Sequence, residues 1–239
     1  MRAGAGNTIL RLHGTETGFG YHVSRIRNSN GVNRVAAPPT LGVIVAGGLA
    51  RRMGGGDKAF IRIGGQTILE RIATCLAPQC RLLIINANDD ATRFASTGIP
   101  VVADSGADYA GPLAGILTAL DWTAAHAPEI AWIISVPGDC PFLPQDLVEK
   151  LHLARIASGA PIACASSVQT HPVIAIWPVA LREDLRSALR NEGIRKVESF
   201  IARHGGTVAA WPTVPFDPFF NVNTPEDVAE ANRLAARLR

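Results

Sequence analysis

The chain has 239 residues, 47% of them hydrophobic and 18% charged, and a formal net charge of +3, which fits one soluble globular α/β domain with a full core. The small positive excess favours anionic small molecules but excludes a typical nucleic-acid-binding surface, and no apolar run reaches the roughly 18 residues of a membrane span. The four cysteines form no C-x-x-C pair and have no histidines at zinc spacing, which predicts reduced thiols in a cytoplasmic protein.

The first 40 residues differ from the rest of the chain. They hold one acidic residue, Glu16, against five arginines, and they show no sustained periodicity. Arginines with few acids are typical of targeting peptides, but the apolar stretch of a secretory signal is missing. We therefore predict a disordered extension, or an over-called start codon, that ends in the Ala-Ala-Pro-Pro spacer at 36–39.

From residue 41 onward, short apolar runs alternate with helical stretches, which predicts an α/β fold with a mainly parallel central sheet. Thr67 and Thr224 are predicted helix N-caps, the second followed by proline at the first helical position. The predicted strands are 41–46, 81–86, 100–103, 131–136, 162–166, 172–177 and 207–211. The predicted helices are 67–77, 89–97, 113–126, one from Pro144, 180–190, 195–203 and one after Thr224.

The segment LGVIVAGGLARRMGGGDK, residues 41–58, predicts a phosphate-binding loop. A buried strand breaks into Gly47 and Gly48, and the following loop carries Arg51, Arg52, glycines at 54–56 and Lys58. Glycines let the backbone approach a ligand closely, and exposed N–H groups in such a loop form an anion-binding concavity. Arginine and lysine add donors suited to phosphate oxygens. The loop therefore predicts binding of a nucleoside triphosphate.

Two better-known phosphate loops do not fit this segment. A Walker loop requires Ser or Thr after its lysine, but Lys58 precedes Ala59. A dinucleotide fingerprint requires G-x-G-x-x-G, and Gly47-Gly48-Leu49 lacks that spacing. A dehydrogenase is thus excluded, and the remaining alternative is a flexible glycine loop with solvated charges.

A second motif, SVPGDCPF at 135–142, places Asp139 just beyond the carboxyl end of a buried strand, between two prolines. Ligands of open α/β sheets bind at that edge. Mg²⁺ takes one or two carboxylates together with phosphate oxygens and water, so Asp139 is a candidate magnesium ligand. The alternative is a simple turn residue, because Gly-Asp between prolines is also turn chemistry.

These segments resemble those of the molybdenum cofactor guanylyltransferases, whose motifs are L-A-G-G-x-x-x-R-M-G-x-x-K and P-x-D-x-P. The resemblance covers roughly 41–235 and also includes Val102-Ala103-Asp104-Ser105, G-P-L-A-G at 111–115 and the Asn-Val-Asn-Thr-Pro segment at 221–225. The departures are Val45 in place of Leu and Gly138 before Asp139. The family implies a three-layer α/β/α Rossmann-like nucleotidyltransferase fold, with a nucleotide-binding half at about 41–143 and an acceptor-binding half at about 144–239.

The resemblance also implies roles for individual residues. Lys58, Arg52 and Asp139 would be catalytic, and Asp139 would bind Mg²⁺. The nucleotide site would consist of Val45, Ala46, Gly47, Gly48, Lys58, Asn86 (at the guanine), Asp104, Gly111 and Asp139. The acceptor would contact His171, Arg195, Asn221 and Asn223. From the residues alone, Asn86 and Asp104 are equally good strand-end residues, and the two asparagines near 222 are equally good cap residues.

The implied reaction transfers GMP from GTP to the phosphate of molybdopterin and releases pyrophosphate. The implied protein partners are a molybdenum-insertion enzyme and the chaperones of the acceptor enzymes. A CTP-dependent molybdopterin cytidylyltransferase or a sugar-phosphate nucleotidyltransferase is the nearest alternative, although Gly47-Gly48 and Asn86 favour guanine. A non-catalytic GTP-binding cofactor-delivery protein would not need Asp139, so the intact Pro-Gly-Asp-Cys-Pro segment counts against it.

Overall fold

The structure, a computed structural model, describes residues 25–27, 33–35, 37–46, 58–88, 90–104 and 111–238. The chain divides into two compact units, and the second begins at Ala37, slightly before the predicted boundary. In the first unit, β1 (Arg25–Arg27) pairs antiparallel with β2 (Asn33–Val35). This pairing was not predicted, because three-residue strands carry no periodicity. The rest of the first unit lies outside the described residues, so its disorder stays a prediction.

The second unit is built on a seven-stranded sheet of β3 (Thr40–Val45), β6 (Leu82–Asn86), β7 (Val101–Val102), β8 (Trp132–Pro137), β9 (Ala163–Ser166), β10 (Thr170–Pro178) and β11 (Thr207–Ala210). The order of the strands across the sheet is β11-β9-β10-β8-β3-β6-β7. Among these strands only β10 runs antiparallel to its neighbours, which confirms the predicted mainly parallel sheet. A separate hairpin joins β4 (Arg62–Ile63) and β5 (Gln66–Thr67).

Helices cover both faces of the sheet, which confirms the three-layer α/β/α architecture. The helices are α1 (Ile68–Leu76), α2 (Pro112–His126), α3 (Leu147–Ser158), α4 (Arg182–Asn191), α5 (Val197–Arg203) and α6 (Pro225–Arg237). Alternate strand residues point to opposite faces. Accordingly, Val43 packs with α2, α4 and α5, whereas Ile44 packs with α1, α3 and α6 in a second core.

Both predicted N-caps are confirmed, each as a reciprocal capping box. Thr67 Oγ1 accepts from the Glu70 N–H at 3.1 Å, and the Glu70 carboxylate accepts from the Thr67 N–H at 2.7 Å. Thr224 and Asp227 make the same pair of bonds at the start of α6, at 3.2 and 2.9 Å. These bonds satisfy N–H groups that have no partner within the helix.

Two predicted helices differ from the structure, and one hairpin was not predicted. The helix predicted from Pro144 begins at Leu147, because Asp146 accepts from the Trp211 indole N–H at 2.8 Å and the preceding turn stays outside the helix. The helix predicted at 89–97 is the 3₁₀ helix Ala91–Thr97, capped by Asp90. The β4–β5 hairpin was not predicted, and its turn uses Gly64 and Gly65 at φ values of 60° and 93°, where glycine is favoured.

No disulfide joins the four cysteines, in agreement with the predicted thiols. Burial raises the pKa of Cys75 to about 11 and that of Cys80 to about 12, so both thiols hold their protons at neutral pH. Within the described part of the chain, no helix has the length and apolar character needed to cross a bilayer.

Candidate active site

Four parallel strands end side by side at the carboxyl edge of the sheet. Val45 of β3 pairs with Asn86 of β6 and with Pro137 of β8, and Asn86 pairs with Val102 of β7. The backbone continues the ladder beyond Val45, where Ala46 N donates to Asn86 O at 2.8 Å. The predicted nucleotide-binding residues on these strands are therefore brought to one edge, where ligands of open α/β sheets bind.

The phosphate loop is described only at its two ends. Val45 and Ala46 precede it, and Lys58 follows it at the start of the 3₁₀ turn Lys58–Phe60. The predicted contributions of Gly47, Gly48, Arg51, Arg52 and the glycines at 54–56 lie outside the described residues. Lys58 donates from Nζ to Asn223 Oδ1 at 2.5 Å, so the last residue of the loop is tied to a segment 165 residues away.

Asp139 and Lys58 line one small cavity of about 90 Å³ at the strand ends, with 45–46, Ala59 and 137–138 as the other lining residues. Burial raises the pKa of Asp139, and the nearby Lys58 ammonium opposes that shift. A Cβ at Gly138 would make a tight contact, 3.3 Å from both Ala46 Cα and Val45 O. The glycine noted as a departure from the family motif thus allows the Asp139 turn to pack against β3.

A single carboxylate, that of Asp139, lines this cavity and could bind a magnesium ion. Cys140 Sγ makes only a long, 3.8 Å contact to Asp139 Oδ1, which leaves acceptor positions on the carboxylate for a cation. Among the described residues, no group of three or more His, Cys, Asp or Glu side chains could hold a metal ion. A cation held by Asp139 would therefore take its other ligands from phosphate oxygens and water, which is the usual arrangement for Mg²⁺.

The segment before α6 brings Asn223 to Lys58 and Asn221 to Cys140, the residue after Asp139. Val222 N donates to Asp139 O at 2.9 Å, and Cys140 Sγ donates to Asn221 Oδ1 at 2.8 Å. Asn223 accepts from Lys58, as described above. Two of the predicted acceptor residues thus lie next to the two predicted catalytic residues that the structure describes.

Asp104 is held by a network that the sequence did not reveal. Its Oδ1 accepts from Asn86 Nδ2 at 2.8 Å and from Thr118 Oγ1 at 3.2 Å, and its Oδ2 accepts from Asn88 Nδ2 at 2.7 Å. Asn88 Oδ1 accepts in turn from the Asp104 N–H at 2.8 Å. The sequence did not identify Asn88 and Thr118 as residues of this network. For Asn88, the Asn-Ala-Asn spacing at the end of β6 was the available signal.

Asn86 is buried, at 3% exposure, and both protons of its amide are used within the protein. Its Nδ2 donates to Val102 O at 3.2 Å as well as to Asp104. Its Oδ1 lies against the first turns of α2, where a Cβ on Gly115 would come within 2.2 Å of it. Gly111, the residue before α2, has a φ of 101°, which favours glycine.

His171 lines a second cavity, of about 340 Å³, that it shares with Asp139, Cys140 and Asn221. Two residues that the sequence did not indicate hold its ring: Ser167 lies 2.8 Å from His171 Nε2, and Asp217 accepts from Ser167 Oγ at 3.0 Å. The nearby Ser167 and the distant Asp217 share no motif with His171, so no local pattern connected them.

Arg195 is not brought to either cavity. It is exposed, and its guanidinium donates to Leu189 O at 2.8 Å and to Ile194 O at 3.0 Å. A larger cavity of about 470 Å³, between α1 and the loop at 211–218, contains none of the predicted site residues.

Comparison with known proteins adds the following similarities. A family model described as the MobA-like NTP transferase domain matches residues 42–208. A molybdenum cofactor guanylyltransferase of Rhodopseudomonas palustris (strain BisB5) is 56% identical over 201 residues, which are 84% of this chain and 96% of that protein. A molybdenum cofactor guanylyltransferase of Nitrobacter hamburgensis is 56% identical over 203 residues, which are 84% of this chain and 97% of that protein. The crystal structure of molybdopterin-guanine dinucleotide biosynthesis protein A from Archaeoglobus fulgidus has a TM-score of 0.64 at 22% identity, covering 83% of this chain and 100% of that chain.

Proposed function

The chain belongs to the MobA-like NTP transferase family and is a nucleotidyltransferase, and we propose that it transfers GMP from GTP to the terminal phosphate of molybdopterin or of its molybdenum form, releasing pyrophosphate. The observation that carries the proposal is that Lys58 and Asp139 line one cavity at the strand ends. Asn223 is bonded to Lys58, and Asn221 is bonded to Cys140, the residue after Asp139. The Lys58 ammonium, the Asp139 carboxylate and the two amide side chains are groups suited to two phosphates, which supports the proposal.

The chemistry requires alignment more than proton transfer. The acceptor phosphate is already an anion at neutral pH, so the attacking oxygen needs no general base. Catalysis then rests on holding the two phosphates in line and on neutralising charge at the α-phosphate. We assign the pyrophosphate end to Lys58, together with Arg52 and the loop that begins at Gly47 and Gly48.

We propose that Asp139 holds a Mg²⁺ ion on the nucleotide phosphates. The cation would supply charge stabilisation at the phosphate oxygens. The protein contributes a carboxylate that is partly buried beside Lys58 and would be kept in place before the nucleotide arrives. Asn221 and Asn223 would align the acceptor phosphate next to it.

We propose that the guanine end of the nucleotide lies at Asp104, with Gly111 allowing α2 to approach the base. Both amide protons of Asn86 are donated to Val102 and Asp104, so Asn86 would serve the guanine by holding Asp104 in place. A carboxylate has about four acceptor positions, and three of those on Asp104 are taken by Asn86, Asn88 and Thr118. None of the described residues takes the remaining position, which would accept an N–H of the base or an O–H of the ribose.

The 340 Å³ cavity beside Asp139 is our proposed acceptor site, with His171 on its wall and Asn221 at its rim. We place the reaction in the cytoplasm, where GTP is available. A molybdenum-insertion enzyme that supplies the acceptor, and chaperones of the enzymes that receive the product, are proposed protein partners.

Calorimetric titration with GTP, CTP and ATP, each with and without Mg²⁺, tests the nucleotide assignment. We expect selective, Mg²⁺-strengthened binding of GTP, followed by pyrophosphate release when molybdopterin is added. Preference for CTP would instead indicate a cytidylyltransferase on the same fold. GTP binding that neither needs Asp139 nor leads to turnover would indicate a non-catalytic delivery protein.

A further inference from the structure

A β-bulge interrupts the pairing of strand β10 with strand β9 over three residues beside the proposed acceptor cavity. His171 pairs with Ala165, and the next paired residue, Ala175, faces Cys164, so residues 172–174 have no partner on β9. A bulge of this kind bends one strand away from the sheet and redirects its side chains, and bulges are frequent next to active sites. His171 is the last paired residue before the bulge.

A buried serine of β8, the strand on the other side of β10, stabilises the bulge. Ser135 of β8 donates from Oγ to Val173 O at 2.6 Å and accepts from the Trp177 indole N–H at 2.8 Å. Both Ser135 and Trp177 have no exposed surface. The Val173 carbonyl within the bulge is therefore satisfied inside the core by a side chain of β8, and the bulge is a fixed part of the fold.

The bulge forms one wall of the cavity of about 340 Å³, and Asp139 and Cys140 form the other. This volume falls within the range of pockets that hold small organic ligands, about 300–1,000 Å³. Because Asp139 lines the same cavity, a ring system placed there would lie next to the proposed site of phosphoryl transfer.

The partners of His171 determine which of its ring nitrogens carries the proton. Ser167 Oγ donates its only proton to Asp217 Oδ2 at 3.0 Å, because an ionised carboxylate can only accept. Ser167 must then accept from His171, which lies 2.8 Å away, so His171 Nε2 carries a proton. In the neutral ring Nδ1 is therefore an acceptor, and no hydrogen bond from the described residues reaches it.

The ring is also held in orientation by the turn that follows Asp217. Phe219 N donates to Asp217 Oδ1 at 2.9 Å, and the buried Phe219 ring lies 4.9 Å, centroid to centroid, from the His171 ring. Burial lowers the pKa of His171, and Asp217 opposes this shift only in part, so the ring is neutral at pH 7.

We propose that His171 Nδ1 accepts a hydrogen bond from an N–H group of the pterin acceptor, and that Ser167 and Asp217 are positioning residues that fix the ring's tautomer for this contact. Pterins are flat heterocycles that carry ring N–H groups and an exocyclic amine, so an oriented acceptor on the cavity wall matches their chemistry. This assignment rests on the proposed function, since it takes the cavity to be the acceptor site.

The tautomer can be measured without any substrate. Long-range ¹H–¹⁵N spectra of the full chain labelled at histidine should show His171 protonated at Nε2 and unprotonated at Nδ1 at pH 7. Ser167→Ala and Asp217→Asn should each convert this signature to a tautomer mixture. The His126 resonance is the internal control, because His126 is exposed and its Nδ1 bonds only to Trp122 O, at 3.0 Å.

Steady-state kinetics with molybdopterin tests the contact itself. In His171→Gln the amide nitrogen takes about the place of Nε2 and no acceptor remains at the Nδ1 position, whereas in His171→Asn the amide oxygen takes about the place of Nδ1. We expect the KM for molybdopterin to rise about tenfold in His171→Gln and clearly less in His171→Asn, with the KM for GTP unchanged in both. Ser167→Ala should raise the KM for molybdopterin about fivefold, and His126→Gln should change neither constant.

The outcomes separate the inference from the function on which it rests. A His171 signature with Nδ1 protonated, or one unchanged in Ser167→Ala, overturns the positioning role whatever the enzyme's activity. Normal turnover with equal KM values for molybdopterin in the wild type and His171→Gln overturns the contact while leaving the proposed function intact. A wild-type protein that binds GTP but does not turn over molybdopterin contradicts the proposed function, and the pterin assignment falls with it.

Discussion

Asp139 combines a negative charge with partial burial, and this combination is unfavourable for folding. Burial raises the pKa of its carboxyl despite the neighbouring Lys58. A carboxyl with a higher pKa in the folded state binds its proton more tightly when folded, so stability is lost as the pH rises from the unfolded value through the folded pKa. At neutral pH the ionised Asp139 therefore destabilises the protein, and a residue of this kind is retained for function rather than for stability.

Replacing Asp139 by asparagine should separate its role in catalysis from its effect on stability. We expect Asp139→Asn to lower the rate of pyrophosphate release by at least about 100-fold, because the cation and the α-phosphate lose a preorganised charge. The same change should raise the Tm, because it removes the charge that burial disfavours. Turnover assays and scanning calorimetry measure the two quantities.

The matched control is Asp90→Asn, which makes the same change at the exposed cap of the 3₁₀ helix Ala91–Thr97. Asparagine caps about as well as aspartate, so this variant should keep both the rate and the Tm of the wild type. A near-normal, Mg²⁺-dependent rate in Asp139→Asn would show that the carboxylate does not hold the metal.

At the scale of elements, the contact between α2 and β6 couples helix packing to the nucleotide site. Alanine normally stabilises a helix relative to glycine by about 0.5–1 kcal/mol. At Gly115 of α2 the added Cβ would stand 2.2 Å from Asn86 Oδ1, and the Asn86 side chain is held by bonds to Val102 and Asp104. Helix and strand therefore fit only when position 115 has no side chain.

We expect Gly115→Ala to weaken GTP binding by about tenfold or more, because Asn86 must move and Asp104 loses a donor. A double-mutant cycle measured by calorimetry and urea unfolding identifies the cause. In an Asn86→Ala background the clash is gone, so Gly115→Ala should have no further effect on binding and should stabilise the helix. Additive losses in the double variant would show that Gly115 acts through some other contact.

The main helices and strands could be predicted from sequence because each has a periodic or continuous apolar pattern, as α1 and β6 do. The β4–β5 hairpin and the bulge at 172–174 could not, because two or three residues carry no period. The same limit applies to the site. Asp139 and Lys58 lie in recognisable motifs, whereas the Ser167–His171–Asp217 network depends on a bond between residues 50 apart in sequence.

At the scale of the whole molecule, a buried histidine links the sheet to α3. Arg155 Nε donates to His152 Nδ1 at 3.0 Å, so His152 Nε2 carries the proton and donates to Thr40 Oγ1 at 2.8 Å. Thr40 Oγ1 donates onward to Pro38 O at 2.8 Å, and the Trp132 and His152 rings pack nearly perpendicular to each other, with centroids 5.6 Å apart. Burial, together with the charge of Arg155, lowers the pKa of His152 to about 3.

This histidine should make the stability of the protein depend on pH well above the range of the carboxylates. Between its unfolded value of 6.5 and about 3, the unfolded chain takes up a proton at His152 that the folded protein does not, so stability falls as the pH falls through this window. We expect His152 to lower the free energy of unfolding by about 1–2 kcal/mol between pH 7 and pH 5, measured by urea unfolding.

His171, whose pKa is also lowered, acts in the same direction, so the decisive quantity is the difference in pH dependence between wild type and His152→Gln. The variant should show a shallower pH dependence, whereas His126→Gln, at an exposed helix end, should not. Should His152→Gln fail to fold, the His152 imidazole resonances of the wild type decide the matter, because protonation at pH 5 in the folded protein would contradict the prediction.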